Sequence, residues 1–194
     1  MVIPAKFDWA GNFGTNGLAH AGEGDREFVI DRKGDIVAST DDRARAQALI
    51  EGRAFMPRST TFRDPTGATY HKTMHALLDD KGQLLTEYVY DSTRDFSEGL
   101  ACVQQNDKWG CIDKQSKWVV RPIYDDIRGR FRDGLLPVKK GDHWGLIDNT
   151  GAVKCDFKFY DVAYSFCDGF LGVRIGGKCG YIDRTGKYLW EPTE

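Results

Sequence analysis

The sequence predicts an all-β protein built as a tandem repeat of about five three-stranded antiparallel meanders, in an open solenoid-like or ring-like array. Three observations carry that prediction. Lys108-Trp109-Gly110-Cys111-Ile112-Asp113 returns as His143-Trp144-Gly145-Leu146-Ile147-Asp148 and as Lys178-Cys179-Gly180-Tyr181-Ile182-Asp183. The interval from Gly110 to Gly145 to Gly180 is 35 residues each time, and Phe96, Phe131 and Phe166 keep the same phase. Self-similarity at a fixed period marks a repeat architecture. The short apolar runs are also bounded by turn residues, as strands are.

Each repeat offers three strand candidates, which in the third are Leu100–Val103, Trp109–Ile112 and Trp118–Val120. The second and third are joined by Asp113-Lys114-Gln115-Ser116. The sister turns are Asp31-Arg32-Lys33-Gly34, Asp79-Asp80-Lys81-Gly82, Asp148-Asn149-Thr150-Gly151 and Asp183-Arg184-Thr185-Gly186. Asp first and Gly fourth is a type I turn followed by a left-handed residue, so Ser116 is expected to carry mild backbone strain. Trp109 and Cys111 point to one face and Gly110 and Ile112 to the other, and both sets are apolar. A lone meander cannot cover two apolar faces, so each repeat must stack on its neighbours. Trp fills that contact, and Gly lets a backbone or ring approach closely.

The chain is read as one β domain over residues 1–194, with degenerate repeats at 13–61 and 62–95 and clear ones at 96–130, 131–165 and 166–194. Phe7-Asp8 and Phe13 parallel Tyr124-Asp125 and Phe131, so the start reads as the tail of a repeat. Thr40-Asp41-Asp42 followed by the Ala-rich stretch to Ala54 predicts one short inserted helix near 41–53, ended by Gly52 and Pro57. In the second repeat Phe62-Arg63-Asp64 is aligned with Phe131-Arg132-Asp133, and His75-Ala76 replaces Trp-Gly. The last repeat stops before an aromatic–Asp pair, a piece that the first residues supply.

Composition sets bounds on function. The 194 residues are 41% hydrophobic and 29% charged, ordinary for a globular protein with a real core. A net charge of −2 gives no global electrostatic case for nucleic acid or an anionic membrane. No apolar run reaches the roughly 18 residues of a membrane span. Met1-Val2-Ile3-Pro4-Ala5-Lys6-Phe7-Asp8 lacks the pattern of a signal peptide, so a cytoplasmic location is expected. Five cysteines with no C-x-x-C pair argue against a disulfide framework and read as small buried hydrophobes.

With these motifs in view, the chain resembles the WG-repeat family of bacterial proteins. The family unit runs roughly F-x-x-G-L-A-x-V, then K-W-G-[YF]-I-D-x-x-G, then a strand, P-x-Y-D and F. Phe131, Gly134, Leu135, Val138, Trp144, Gly145, Ile147, Asp148, Gly151, Tyr160 and Asp161 carry the resemblance, as do Phe96, Gly99, Leu100, Val103, Lys108, Trp109, Gly110, Ile112, Asp113, Pro122, Tyr124 and Asp125. It covers 96–190 strongly and 13–95 weakly. Cys179 departs at the Trp position, Ser116 at the turn Gly and Asp156 at the Pro. The resemblance implies a β-rich scaffold and supplies no catalytic residues.

Candidate chemistry is thin. His71 and His75 have metal-ligand spacing, but a loop-to-strand setting keeps them off one face and no third ligand is near, so no metal site is expected. The recurring aspartates belong to turns, and Tyr90-Asp91, Tyr124-Asp125 and Tyr160-Asp161 to corners between repeats. Gly176-Gly177 reads as a hairpin turn. No nucleophile elbow or phosphate loop is present, so neither catalysis nor a cofactor is expected. The leading reading is a non-enzymatic protein–protein interaction scaffold, and within it a bacterial immunity or inhibitor protein that binds and occludes a partner toxin. A glycan- or small-molecule-binding module using aromatic side chains is the alternative, and an enzyme is third. Contact residues are expected where the repeat breaks: Arg43, Arg45 and Arg53 in the insertion, and Arg121, Arg128, Arg130 and Arg132 around Phe131.

Overall fold

The structure is a computed structural model that describes residues 6–13, 17–24, 26–40 and 51–190. The chain divides into two compact units, residues 1–95 and 96–194. In the first, β1 (Trp9–Ala10), β2 (Leu18–Glu23), β3 (Arg26–Asp31) and β4 (Ile36–Thr40) form an antiparallel sheet in that order. A long hairpin of β5 (Ala54–Arg63) and β6 (Thr69–Leu78) follows, and then β7 (Ser92–Thr93). The second unit holds the meander of β8 (Leu100–Gln105), β9 (Lys108–Asp113) and β10 (Trp118–Tyr124). Two four-stranded antiparallel sheets come next. One is β11 (Asp126–Ile127), β12 (Leu135–Lys140), β13 (His143–Asp148) and β14 (Val153–Phe159). The other is β15 (Asp161–Val162), β16 (Leu171–Ile175), β17 (Lys178–Ile182) and β18 (Tyr188–Trp190).

The turns form as their residues require. Asp148 Oδ1 accepts from the backbone N–H of Thr150 at 2.9 Å and of Ala152 at 3.0 Å, while Gly151 N–H donates to the Asp148 carbonyl at 2.9 Å. The same side-chain pattern recurs at Asp31, Asp79, Asp113 and Asp183. Ser116 takes φ 63°, the strained left-handed backbone expected of it. Gly176 and Gly177 also have positive φ and join β16 to β17 as a hairpin turn.

Stacking places the core between sheets. Trp109, Cys111, Leu100 and Val120 pack against Ile127, Phe131, Leu136, Val138 and Ile147 of the next sheet. The opposite face of that sheet presents Leu135, Trp144, Leu146, Cys155 and Phe159 to Val162, Phe166, Leu171, Val173 and Ile182. Each large side chain so buried contributes roughly 1.5–3 kcal/mol. Gly145 faces the bulge of its own last strand, where an added Cβ would stand 2.7 Å from the Cys155 carbonyl oxygen. At Gly110 the corresponding oxygen, of Val120, lies at 2.5 Å. The close approach that these glycines allow is therefore within the sheet.

Several expectations are corrected. The sheets β1–β4, β11–β14 and β15–β18, each within one unit, have four strands, not three, because a two-residue strand from the aromatic–Asp stretch pairs with the first meander strand. Asp125 alone separates β10 from β11, and Tyr160 alone separates β14 from β15. The helix near 41–53 is not supported. Residues 41–50 lie outside the described residues, Glu51, Gly52 and Arg53 form a turn and the approach to β5, and no helix occurs among the described residues. Phe62 does not open a repeat. It sits near the tip of β5, stacked on Tyr70 at 5.6 Å, and Asp64-Pro65-Thr66-Gly67 makes the hairpin turn. The Phe131 stretch is a different turn, since Asp133 and Gly134 both have positive φ and Arg132 and Leu135 exchange backbone hydrogen bonds.

Candidate interaction surface

The most repeated residues are spent on packing. Trp109 and Trp144 are 5% and 3% exposed, with the ring of each in an inter-sheet core. On the last sheet, by contrast, large side chains at the equivalent positions are exposed.

In the sheet before it, Trp144, Leu146 and Cys155 are buried beneath the following sheet. Their 35-residue counterparts are Cys179, Tyr181 and Trp190. Tyr181 is 48% exposed, Trp190 is 59% exposed, and Cys179 is exposed as well. Tyr181 and Trp190 are cross-strand partners, with rings stacked at 6.3 Å and 14°. Cys179 in place of Trp and Gly172 in place of Pro137 or Cys102 remove bulk beside that stack. Beside the stack lies an open groove of about 740 Å³, lined by Ala163, Phe170, Gly172, Tyr181, Leu189 and Trp190. A second hollow of about 460 Å³ adjoins Cys179, with Arg128, Asp161 and Arg174 at its edge. The surface thus combines an aromatic ridge, a gap and a charged margin.

The predicted arginines do not gather there as a set. The Arg128 guanidinium donates to Asp161 Oδ1 at 2.9 Å and to the Val162 carbonyl at 3.3 Å, and lies 4.9 Å over the Trp144 ring. It ties two adjacent sheets together and also borders the Cys179 hollow. Arg121, on β10, and Arg130 and Arg132, between β11 and β12, have exposed side chains. Arg53 is half-buried and donates to the Gly52 carbonyl at 2.8 Å. Arg43 and Arg45 lie outside the described residues.

The remaining polar clusters serve the fold. Asp125 accepts from Lys108 Nζ and, at 2.7 Å, from Gly141 N–H, and Asp8 accepts from Gly24 N–H at the same 16-residue separation and distance. These are the expected corners. In the last of them, however, Phe159 fills the buried Tyr124 position and Tyr160 is exposed. Hydrogen bonding from the Thr150 hydroxyl and from Lys154 holds the Asp148 carboxyl well below the ordinary carboxylate range. Thr66 and Thr185 lower Asp64 and Asp183 in the same way. His71 and His75 do share one side of β6, contrary to the loop reading, but four residues of extended strand span about 13 Å. His71 meets the Thr61 hydroxyl at 3.1 Å and His75 the Tyr90 carbonyl at 3.3 Å, and burial pushes the His75 pKa down.

Sequence reasoning reaches Trp190 only as one of the tryptophans available to an aromatic binding groove, and it missed Phe170, Tyr181 and Leu189. The signal was present in the aligned repeats: Trp becomes Cys179 while Leu146 and Cys155 become Tyr181 and Trp190. A face that exchanges its bulk in this way is no longer packing as its sisters do.

Comparison with known proteins supports the architecture. No curated protein sequence matches the chain. Among solved structures, a crystal structure of a eukaryotic initiation factor aligns with a TM-score of 0.54 at 12% identity, covering 97% of this chain and 55% of that one. Kluyveromyces lactis Hsv2 aligns at 0.46 and 12%, over 90% of this chain and 59% of that one. PorZ of the Porphyromonas gingivalis type-IX secretion system aligns at 0.43 and 12%, over 97% and 26%. The chain spans about half the length of the first of these. The initiation factor shares the fold alone, a series of small antiparallel sheets of the β-propeller kind. The family model described as WG containing repeat matches residues 1–21, 77–109, 109–142 and 144–179. With well over half its length matched, in phase with the Trp-Gly strands β9 and β13, the chain belongs to the WG containing repeat family.

Proposed function

We propose that this protein is a non-enzymatic protein–protein interaction scaffold that seats a partner polypeptide on the outer face of its last sheet. The observation that carries the reading is the exposed Tyr181–Trp190 stack, at positions whose counterparts in the preceding sheet are covered by protein. Exposed aromatic anchors beside a gap are what interface hot spots use. The fitting partner presents an apolar surface with one bulky side chain for the hollow at Cys179 and polar groups for the margin of Arg174 and Asp161. A cytoplasmic bacterial immunity or inhibitor protein that occludes a toxin is the biology we favour within this reading.

The test is affinity capture from the native source with the wild-type chain and a Trp190→Ala variant, followed by stoichiometry in solution. A one-to-one protein complex formed by the wild type and weakened at least tenfold by Trp190→Ala is expected. Absence of any stoichiometric protein, or a complex indifferent to Trp190, defeats the proposal.

One observation favours a second reading. A flat stack of Tyr and Trp on an open groove also suits the face of a sugar ring. Trp109 and Trp144 are buried and unavailable for this, while Trp118 and Trp190 are exposed. Glycan-array binding that disappears in Trp190→Ala, without a protein complex, is the result that moves the assignment to this class.

A further inference from the structure

Cys102 on β8 and Cys111 on β9 are direct cross-strand partners, with their sulfurs 3.3 Å apart. Their hairpin is closed by Asn106 and Asp107, both at positive φ, as a two-residue turn requires. In such a hairpin Gln105 and Lys108 form the hydrogen-bonded closing pair. Counting back by alternation puts Cys102 and Cys111 on a non-hydrogen-bonded pair. There the Cα atoms stand about 4.5 Å apart and side chains lean together. That spacing falls within the roughly 4.4–6.8 Å that a disulfide spans.

The same cross-strand position in the other sheets is His20–Val29, Pro137–Leu146 and Gly172–Tyr181. None of these contains a cysteine, whereas here both members are cysteine. Were the residues only small hydrophobes, nothing would require them to face each other. The site also differs from the other three thiols, since Cys155 is buried in another core and Cys167 and Cys179 are exposed. Cys102 and Cys111 are each 1% exposed, within the core that includes Trp109 and Tyr124.

We propose that Cys102 and Cys111 form a two-electron redox site that closes to a cross-strand disulfide with a peroxide as oxidant. The first sulfur, as thiolate, attacks one peroxide oxygen. The O–O bond breaks, hydroxide leaves and takes up a proton, and a sulfenic acid remains. The second sulfur, giving up its proton, attacks the sulfenic sulfur. The S–S bond forms, the S–O bond breaks and water departs. Two thiols and hydrogen peroxide thus become one disulfide and two waters, and a dithiol reductant reverses the change. Burial and the facing thiol push Cys111 well above the ordinary thiol range, so the reaction proceeds slowly at neutral pH and speeds up as pH rises. The inference is independent of what the last sheet binds.

Hydrogen peroxide applied to the folded full chain, in a Cys167→Ser/Cys179→Ser background, tests it. Free thiols are then alkylated in denaturant and the protein is digested without reductant for mass spectrometry. The expected result is one linked peptide pair joining Cys102 to Cys111, lighter by two hydrogens and separated by dithiothreitol. Alkylation of both cysteines after prolonged oxidation overturns the proposal, as does sulfinic acid on either residue without linkage. Thermal unfolding of the two forms supplies the second measurement. The oxidised form should melt higher, and a lower midpoint overturns closure within the native hairpin.

Discussion

Ser116 holds a left-handed backbone where the four sister turns have glycine, and a non-glycine residue there costs about 1 kcal/mol. Ser116→Gly should therefore raise stability by about 0.5–1 kcal/mol in denaturant melts, the gain being reduced by the greater freedom of glycine in the unfolded chain. Asp148 makes a prediction about acid. Its carboxyl is held below the ordinary value near 3.8, first by the Thr150 hydroxyl and then by Lys154. A group lowered on folding stabilises the protein above its unfolded pKa, and that stability is lost as pH falls through the folded one. Stability should accordingly decline below about pH 4, and Asp148→Asn should flatten that limb of the curve without steepening it. These turns were legible because Asp-x-x-Gly is a local code, complete within five residues. Turn Asp64-Pro65-Thr66-Gly67 obeys the same code, but Phe62-Arg63-Asp64 overlaps it and mimics Phe131-Arg132-Asp133. The distance from Asp to Gly tells the two apart: adjacent in Asp133-Gly134, three residues on in Asp64 to Gly67.

At the scale of the element, the meanders were legible from their period, and β11 and β15 were not. A two-residue strand has no periodicity to read, and only the paired sheet reveals that the aromatic–Asp stretch belongs to the following meander. Placement also divides the arginines in a way that spacing could not. Arg128 bridges sheets through Asp161, Val162 and the Trp144 ring, whereas Arg130 is exposed. Arg128→Ala should cost about 1–2 kcal/mol, the worth of a partly desolvated cation–π contact with its hydrogen bonds. Arg130→Ala should stay within about 0.5 kcal/mol of wild type. Equal effects in paired chemical melts would show that the Arg128 contacts contribute nothing.

For the molecule as a whole, the candidate surface was the least legible part. Charge and motifs pointed to the breaks in the repeat, and the insertion and arginines are the obvious breaks. The exposed face arises instead from four replacements, Gly172, Cys179, Tyr181 and Trp190, on three neighbouring strands, which become a single feature only when the sheet is folded. Cys179→Trp restores the repeat residue and fills the hollow. Its expected outcome is an unchanged or higher melting temperature together with loss of the partner complex. A variant that fills the hollow and still binds at wild-type strength would place the contact elsewhere.

The single residues that separate successive sheets, Asp125 and Tyr160, have a mechanical meaning. One residue reaches about 3.5 Å, which leaves no slack between the last strand of one sheet and the first of the next. Neither junction can serve as a hinge, because swinging one sheet away from its neighbour would first strip the two-residue strand from its own sheet. A pull on the Trp190 face therefore finds no slack at either junction between its own sheet and the Cys102–Cys111 hairpin.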